Sequence, residues 1–435
     1  MAHLVQPRAA SGQRPFVVQQ KVLWPASPPN AQLRISVIVP AKDEAENLPA
    51  TLAALATQTD LQDQPLDSAS YEILVLANNC HDQTANVVRT FAQHHPALAL
   101  HVAEIQLPPT DAHVGHARRL LMDEACRRLE DTIGAGGIIA STDADTRVTP
   151  TWLAAIQKEV KAGADAVGGR IFPERTVRNS CLVRRTHLRD ATYRLLRAHL
   201  ESLIDPDPAD QWPRHHQHYG ASLAITVAAY RQVGGLPVVP FLEDEALCQA
   251  LRRSDLRLRH SPAVQVLTSA RHEGRVAVGL SWQLREWARM SHQQREPLVE
   301  SGAALVAEWT VRRKLRQLWQ QTRQQPRQQA IPSCVRLAAL LSVPAGPLTQ
   351  QIAYSSTFGL LWEWVQTHRA IWRRGQLTTL PLALAELRGL IAQEKKKETD
   401  SYAESMPTST STRWLLAPGH QIQPVLRGSV AMQML

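Results

Sequence analysis

Cysteine is scarce in this chain, a glycine-rich phosphate loop is missing, and no apolar run is both long and unbroken. Each shortage removes a class of protein. Five cysteines (Cys80, Cys126, Cys181, Cys248 and Cys334) are scattered through 435 residues without a CxxC pair. That spacing argues against a disulfide framework or a zinc site, and for reduced thiols in a cytosolic setting. The start of the chain has no apolar h-region, so no secretory signal is expected. The nearest candidate for a membrane span, Leu337 to Trp362, is uncharged but broken by Pro344, Gly346, Pro347, Gln350 and Gln351. A pair of packed helices is expected there. There is no internal repeat.

Charge is the first positive feature. The net charge is +9 and the pI about 9.6. This suits anionic ligands or an anionic membrane surface. The basic residues are dispersed and no recognition motif appears, so nucleic acid is not an expected partner. Composition divides the chain. Residues 1–32, rich in Pro, Gln and Ala, read as a flexible tail. Residues 33–290 alternate β-like runs with helical patterns, as parallel α/β sheets do. Residues 291–393 are mainly helical, and 394–435, with Lys395, Lys396, Lys397 and a Pro/Thr/Ser run, read as a second flexible tail.

The polar residues of the α/β part stand at strand ends. Ile35 to Pro40 is an apolar strand that Pro40 is expected to stop, with Lys42, Asp43 and Glu44 opening a helix to about Ala56. Tyr71 to Leu76 is a second strand, followed by the polar turn from Ala77 to Thr84, and Leu98 to Val102 a third. A helix from Gly115 to Leu129 carries Arg118 and Arg119 near its start. The run Gly136 to Thr142 then ends in Asp143-Ala144-Asp145. Two carboxylates at a strand's carboxyl edge can share a hard divalent cation such as Mg²⁺ or Mn²⁺. Such a cation can hold a diphosphate. Alone the pattern is common, and a solvated turn explains it as well. In open α/β sheets, however, ligands bind outside the carboxyl ends of the strands. Asn78 and Glu44 suit a base or ribose there, and Arg118 a diphosphate.

In this order the motifs resemble those of the family 2 glycosyltransferases, over roughly Arg34 to Arg289. The matching segments are Val39-Pro40-Ala41-Lys42-Asp43-Glu44, the turn Ala77 to Thr84, Gly115-His116-Ala117-Arg118 and Asp143-Ala144-Asp145. The resemblance implies a GT-A fold: a Rossmann-like, mostly parallel central sheet flanked by helices, here with a mainly helical C-terminal extension. It implies a donor site built from Pro40, Ala41, Glu44, Asn78, Arg118 and Asp143. Asn78 departs from the family's usual aspartate, which leaves the base open between UDP- and GDP-sugars. Tyr219-Gly220-Ala221-Ser222 resembles the segment beneath the acceptor, and Glu243-Asp244 the acidic pair that opens a helix.

By the same resemblance Asp244 is the general base of an inverting transfer. His272 joins Asp143 and Asp145 as a metal ligand for Mg²⁺ or Mn²⁺. Gly220, Ala221, Glu243, Arg271 and Arg275 face the acceptor or a phosphate. Retention of configuration, as in GT-A enzymes of the glucosyl-phosphoglycerate synthase type, is the alternative outcome. Gln283, Arg285 and Trp287 loosely match the signature of processive members, but the Trp is one place late and no membrane helices flank it. The acceptor is expected to be a small-molecule or lipid-linked hydroxyl, and the setting cytoplasmic with peripheral membrane contact left open.

Two further segments admit two readings each. The arginines and histidines of residues 174–218 form either a cationic lid over an anionic acceptor or an exposed amphipathic helix pair. The basic helix from Leu305 to Trp319 either packs on the catalytic part or docks on a membrane surface. Two rival functions are weaker. A nucleotidyltransferase needs a glycine-rich loop after Val39-Pro40, where there is none. A non-catalytic binding or scaffold protein has no need of Asp143, Asp145 and Asp244.

Overall fold

Parallel strands covered on both faces are apolar along their whole length. β1 (Ile35–Ala41) is such a strand. Its odd positions Ile35, Val37 and Val39 enter one core layer, and Ile38 enters the layer on the other face, as a period of two requires. In the computed structural model, which describes Trp24 and residues 28–174, 181–269, 280–324, 331–368 and 377–405, β1 lies inside an eight-stranded sheet.

The chain continues through α1 (Leu48–Ala56), β2 (Tyr71–Asn78), α2 (Thr84–His94), β3 (Leu100–Ile105), α3 (Val114–Glu130), β4 (Ile138–Ser141), β5 (Thr146–Val148), α4 (Trp152–Lys161), β6 (Ala166–Pro173) and α5 (Cys181–Ile204). Next come β7 (Leu223–Thr226), α6 (Val227–Gln232), α7 (Glu243–Arg253), β8 (Leu258–Thr268) and α8 (Leu280–His292). The sheet order is β3-β2-β1-β4-β7-β6-β8-β5. The pairs β3–β2, β2–β1, β1–β4 and β6–β8 are parallel, while β4–β7, β7–β6 and β8–β5 are antiparallel. Helices cover both faces. Leu48, Leu52, Val88 and Trp152 pack on one, and Leu121, Ala125, Tyr230 and Leu247 on the other.

The strand order turns back beside β1. The chain builds outward from β1 to β2 and β3, then returns to place β4 on the other flank of β1. A crevice opens at such a switch point, at the carboxyl ends of the strands. β4 ends at Ser141, so Thr142 and Asp143 lie at its mouth.

Four expectations are corrected. β1 runs through Pro40 to Ala41, because a proline is tolerated where the ladder is about to end. Residues 42–47 do not open a helix, and α1 starts at Leu48. Asp43 is left-handed (φ 50°), and the amides of Asp43, Glu44 and Ala45 donate to Cys80 Sγ, Thr84 Oγ1 and Asp82 Oδ2. Side chains of the β2–α2 turn thus hold this segment out of the helix. The stretch Leu337 to Trp362 belongs to three helices, α10 (Ile331–Leu341), α11 (Ala345–Tyr354) and α12 (Phe358–His368). The third strand lies at Leu100–Ile105 rather than from Leu98.

The C-terminal helices form two further layers. In chain order β9 (Leu298–Glu300) and α9 (Gly302–Gln324) precede α10, and β10 (Leu377–Thr379) and α13 (Leu380–Ser405) follow α12. α13 runs well past residue 394. Leu305 and Trp309 of α9 pack with Leu384 and Leu387 of α13 and Tyr193 and Leu200 of α5. Leu315 and Leu318 pack instead with α10 to α12. The apolar face of α9 is therefore covered by protein. Its arginines are partly used too: Arg312 binds Glu201 at 2.7 Å, and both Arg312 and Arg316 bind Asp205. Over 181–204 there is one helix, not two. Arg184 and Arg185 on it are exposed, and Arg175 and Arg178 lie outside the described residues. No helix among the described residues is long and apolar enough to cross a membrane.

One ion pair lies within the second core layer. Glu72 on β2 and Arg128 on α3 are 1% and 2% exposed, bonded at 2.7 to 3.0 Å, and Ser36 Oγ donates to the same carboxylate at 2.6 Å. Glu72→Gln leaves a buried guanidinium without its counter-charge. A loss of about 3–5 kcal/mol is expected from urea unfolding.

Candidate active site

Three loops meet above the switch point, each held by its own hydrogen bonds. The loop after β1 is tied to the loop after β2. Besides the amide contacts above, Asp43 Oδ1 accepts from the His81 amide at 2.6 Å, and Asp82 accepts from the Thr84 amide at 2.9 Å. Asp43, Cys80 and Asp82 are also, among the described residues, close enough to hold an ion together. Their oxygens already accept backbone donors, so the trio reads as a latch between loops. Pro40 and Ala41 end β1 beneath it, and Glu44 is buried.

Arg118 crosses from α3 to the middle of the site. It is 4% exposed. One terminal nitrogen donates to Asp143 Oδ1 at 2.7 Å and the other to Glu243 Oε1. Gly220 makes room for it, since a Cβ there would come within 2.4 Å of Arg118 Cζ. Burial pushes the Asp143 carboxyl above the ordinary range. The Arg118 charge opposes this shift, and Asp244 and Glu44 reinforce it. One guanidinium thus pairs with two acids, Asp143 and Glu243, while Glu44 and Asp244 act on Asp143 from nearby.

The first turn of α7 presents three consecutive acids, each with a different partner. Glu243 is buried against Arg118. Asp244 Oδ2 accepts from the Gly220 amide at 2.9 Å, and its Oδ1 from the Glu245 amide at 2.8 Å. Glu245 Oε2 meets His218 Nε2 at 2.7 Å. Acids in a first turn also suit the helix dipole. Leu242, just before the helix, is left-handed (φ 59°), a conformation a bulky residue adopts only when its surroundings enforce it. The short turn Gly220–Ser222 beneath is buried, Ala221 included. It is fastened by Ser141 Oγ to the Gly220 carbonyl (2.9 Å) and by Trp152 Nε1 to Ser222 Oγ (3.0 Å).

Asp145 is half-buried beside the end of β8, where the Ser269 amide donates to its carbonyl at 3.2 Å. Arg271, His272 and Arg275 follow Ser269 and lie outside the described residues. The structure therefore brings together Glu44, Asp143, Arg118, Gly220, Glu243 and Asp244. Sequence reasoning put Arg118 on a diphosphate. In this structure its terminal nitrogens meet two carboxylates. It missed His218 as the partner of Glu245, and the only signal was the density of histidines in 215–218.

Several buried polar atoms in this region have no hydrogen-bond partner: Asn78 Oδ1, His116 Nδ1, Arg118 Nε and Thr142 Oγ1. Asn78 ends β2, Thr142 follows β4, and the other two lie in the first turns of α3. Buried polar groups are ordinarily satisfied, so unpaired ones gathered at a strand-end crevice point to a ligand.

Residues 36–210 match the model of a family described as "Glycosyl transferase family 2". This segment is a family 2 glycosyltransferase domain. Gly220, Glu243 and Asp244 lie beyond the matched residues. Among solved structures the chain is similar to the mannosyltransferase PcManGT from Pyrobaculum calidifontis in complex with GDP-Man and Mn²⁺. The identity is 18%, over 87% of this chain and 91% of that chain, with a TM-score of 0.40. It is also similar to S. aureus TarS 1–349 in complex with UDP-GlcNAc, at 14% identity over 79% of this chain and 93% of that chain, with a TM-score of 0.39. No curated protein matches the chain.

The contact between Gly220 and Arg118 gives a test of how the site is packed. Gly220→Ala forces the guanidinium off its acids and is expected to destabilise the protein by about 1–3 kcal/mol in urea unfolding. An unchanged midpoint would contradict the close approach.

Proposed function

We propose that the protein transfers a sugar from a nucleotide-sugar donor to an acceptor hydroxyl, with inversion, in a catalytic domain spanning residues 33–290. The observation that carries this reading is the set of unpaired buried atoms at the switch point of a family 2 glycosyltransferase domain. Asn78 has an unused acceptor, and a side-chain amide can also donate, which suits the edge of a uracil or guanine. Pro40, Ala41 and Glu44 line the same end of the crevice.

The acids fit a divalent cation. Glu44, Asp143, Glu243 and Asp244 outnumber Arg118, and repulsion from Asp244 and Glu44 adds to burial in raising the Asp143 carboxyl. Asp143 and Asp145 would hold Mg²⁺ or Mn²⁺ through hard carboxylate oxygens, with His272, three residues beyond Ser269, as a further ligand. When bound, the cation neutralises charge that develops on the departing diphosphate. Arg271 and Arg275 would add to that neutralisation. Arg118 acts as the counter-ion that keeps Asp143 and Glu243 in place.

The acceptor stands over Gly220 and Ala221. Its oxygen forms a bond to the anomeric carbon as the bond from that carbon to the diphosphate breaks, and Asp244 takes the hydroxyl proton. The Gly220 and Glu245 amides fix the Asp244 carboxylate for that transfer.

Asp244→Asn is expected to lower kcat by about 10²–10⁴-fold while donor affinity is kept, as loss of a general base does. The assay follows nucleotide release from UDP- and GDP-sugars with Mn²⁺, and NMR reads the product's anomeric configuration. Near-normal turnover in the variant contradicts the base assignment, and a retained configuration contradicts inversion.

A further inference from the structure

His218, two residues before Gly220, is 7% exposed and stands inside a row of four titratable side chains. Asp210 Oδ2 faces His260 Nδ1 at 2.7 Å. His260 Nε2 faces His218 Nδ1 at 3.2 Å. His218 Nε2 faces Glu245 Oε2 at 2.7 Å. All three contacts are at hydrogen-bond distance, and each needs a proton between its atoms. A neutral imidazole has only one N–H. Two neutral histidines supply two protons for three contacts. Without a third, lone pairs would face each other in a buried site, where an unsatisfied pair is most costly.

The neighbours decide where the third proton sits. Burial opposes ionisation of Asp210, but the hydrogen bonds from His260 and the charge of Arg214 bring its carboxyl below the ordinary range. Arg259 also binds it, at 3.1 Å. Glu245 is likewise brought down to about 2: burial opposes, while the His218 contact and then Arg252 favour the carboxylate. Burial is the largest influence on His260 and lowers it. His260 is therefore a neutral ring that donates from Nδ1 to Asp210 and accepts at Nε2. Burial lowers the two other imidazoles nearby as well, His215 to about 3 and His216 to about 2. The Tyr219 ring lies 5.7 Å from His218.

We propose that His218 is a resident imidazolium, donating from Nδ1 to His260 and from Nε2 to Glu245, and that this charge positions the first turn of α7 for catalysis. Glu245 is held by His218, and Asp244 by the Gly220 amide in the same short segment. One stretch of chain, 218–220, thus fixes two of the three acids and holds the strained Leu242 junction in register. The effect on turnover rests on the reading of Asp244 as the base. The protonation does not.

The sign follows from the partner. The His218–Glu245 ion pair lasts while the imidazolium keeps its proton, and is lost on the alkaline side when that proton leaves. The test is ¹⁵N NMR of histidine-labelled full-length protein at pH 8, where an ordinary imidazole is only about 3% protonated. The expected spectrum has one ring with both nitrogens in the protonated range, absent in His218→Gln. Glu245→Gln supplies a second variant, because its amide can donate to a neutral His218 and so abolishes the same signal. Rings that are all neutral tautomers in the wild type overturn the proposal. Where turnover is measurable, His218→Gln is expected to lower kcat on the order of 10–100-fold with donor KM unchanged, as displacement of a reacting group does. It should also remove the alkaline limb of the kcat–pH profile. An alkaline limb that survives overturns the positioning role. A protonated ring in a protein that turns over no donor leaves the imidazolium standing and counts against the transferase reading alone.

Discussion

A single guanidinium holds the site together. Arg118 reaches from α3 into the crevice and joins Asp143, at the end of β4, to Glu243, at the start of α7. One acid follows a strand of the sheet and the other opens a helix, and without a cation between them they would repel where Glu243 is buried. Buried charges of this kind are tolerated only when paired and hydrogen-bonded. The Gly220 turn, the Leu242 junction and the orientation of Asp244 all depend on α7 beginning where Arg118 fixes it.

The same logic recurs through the molecule. Glu72 and Arg128 tie β2 to α3 inside a core layer. Glu201 and Asp205 at the end of α5 hold α9 through Arg312 and Arg316, so the C-terminal helices are fastened to the sheet domain by charge as well as by Trp309 and Leu384. α12 is capped from the other side. The Asp255 carboxylate accepts the amides of Phe358 and Gly359 at 2.7 and 2.8 Å. A chain with a net charge of +9 uses many of its arginines as internal struts, and only part of that charge faces solvent.

Much of the sheet was legible in the sequence because its signals are local. The strands β1, β2 and β4 are apolar runs followed at once by polar turn residues. The switch point follows from the order of those runs once the fold is known. Reading a helix start at Lys42-Asp43-Glu44 failed for a physical reason. Acids before an apolar stretch look like a first turn, but here the amides are claimed by Thr84 and Asp82, some forty residues away. Long-range pairing was equally hidden. Arg118 and Glu243 are 125 positions apart, and the histidine row joins residues 210 and 218, before β7, to 245 on α7 and 260 on β8. No spacing rule connects them. The partners of Arg118 were hidden on the same account, since they could not be seen from its helix.

The central claim is that the crevice beside β1 and β4 takes a nucleotide diphosphate together with a divalent cation at Asp143. It is tested most directly by thermal unfolding of the full chain with a panel of UDP- and GDP-sugars, with and without Mn²⁺, in the wild type and in Asp143→Asn. A ligand that binds only the folded state raises its melting temperature. The expected result is a rise with one class of donor that requires Mn²⁺ and disappears in the variant. A rise that Asp143→Asn leaves intact, or no rise with any donor, would contradict it.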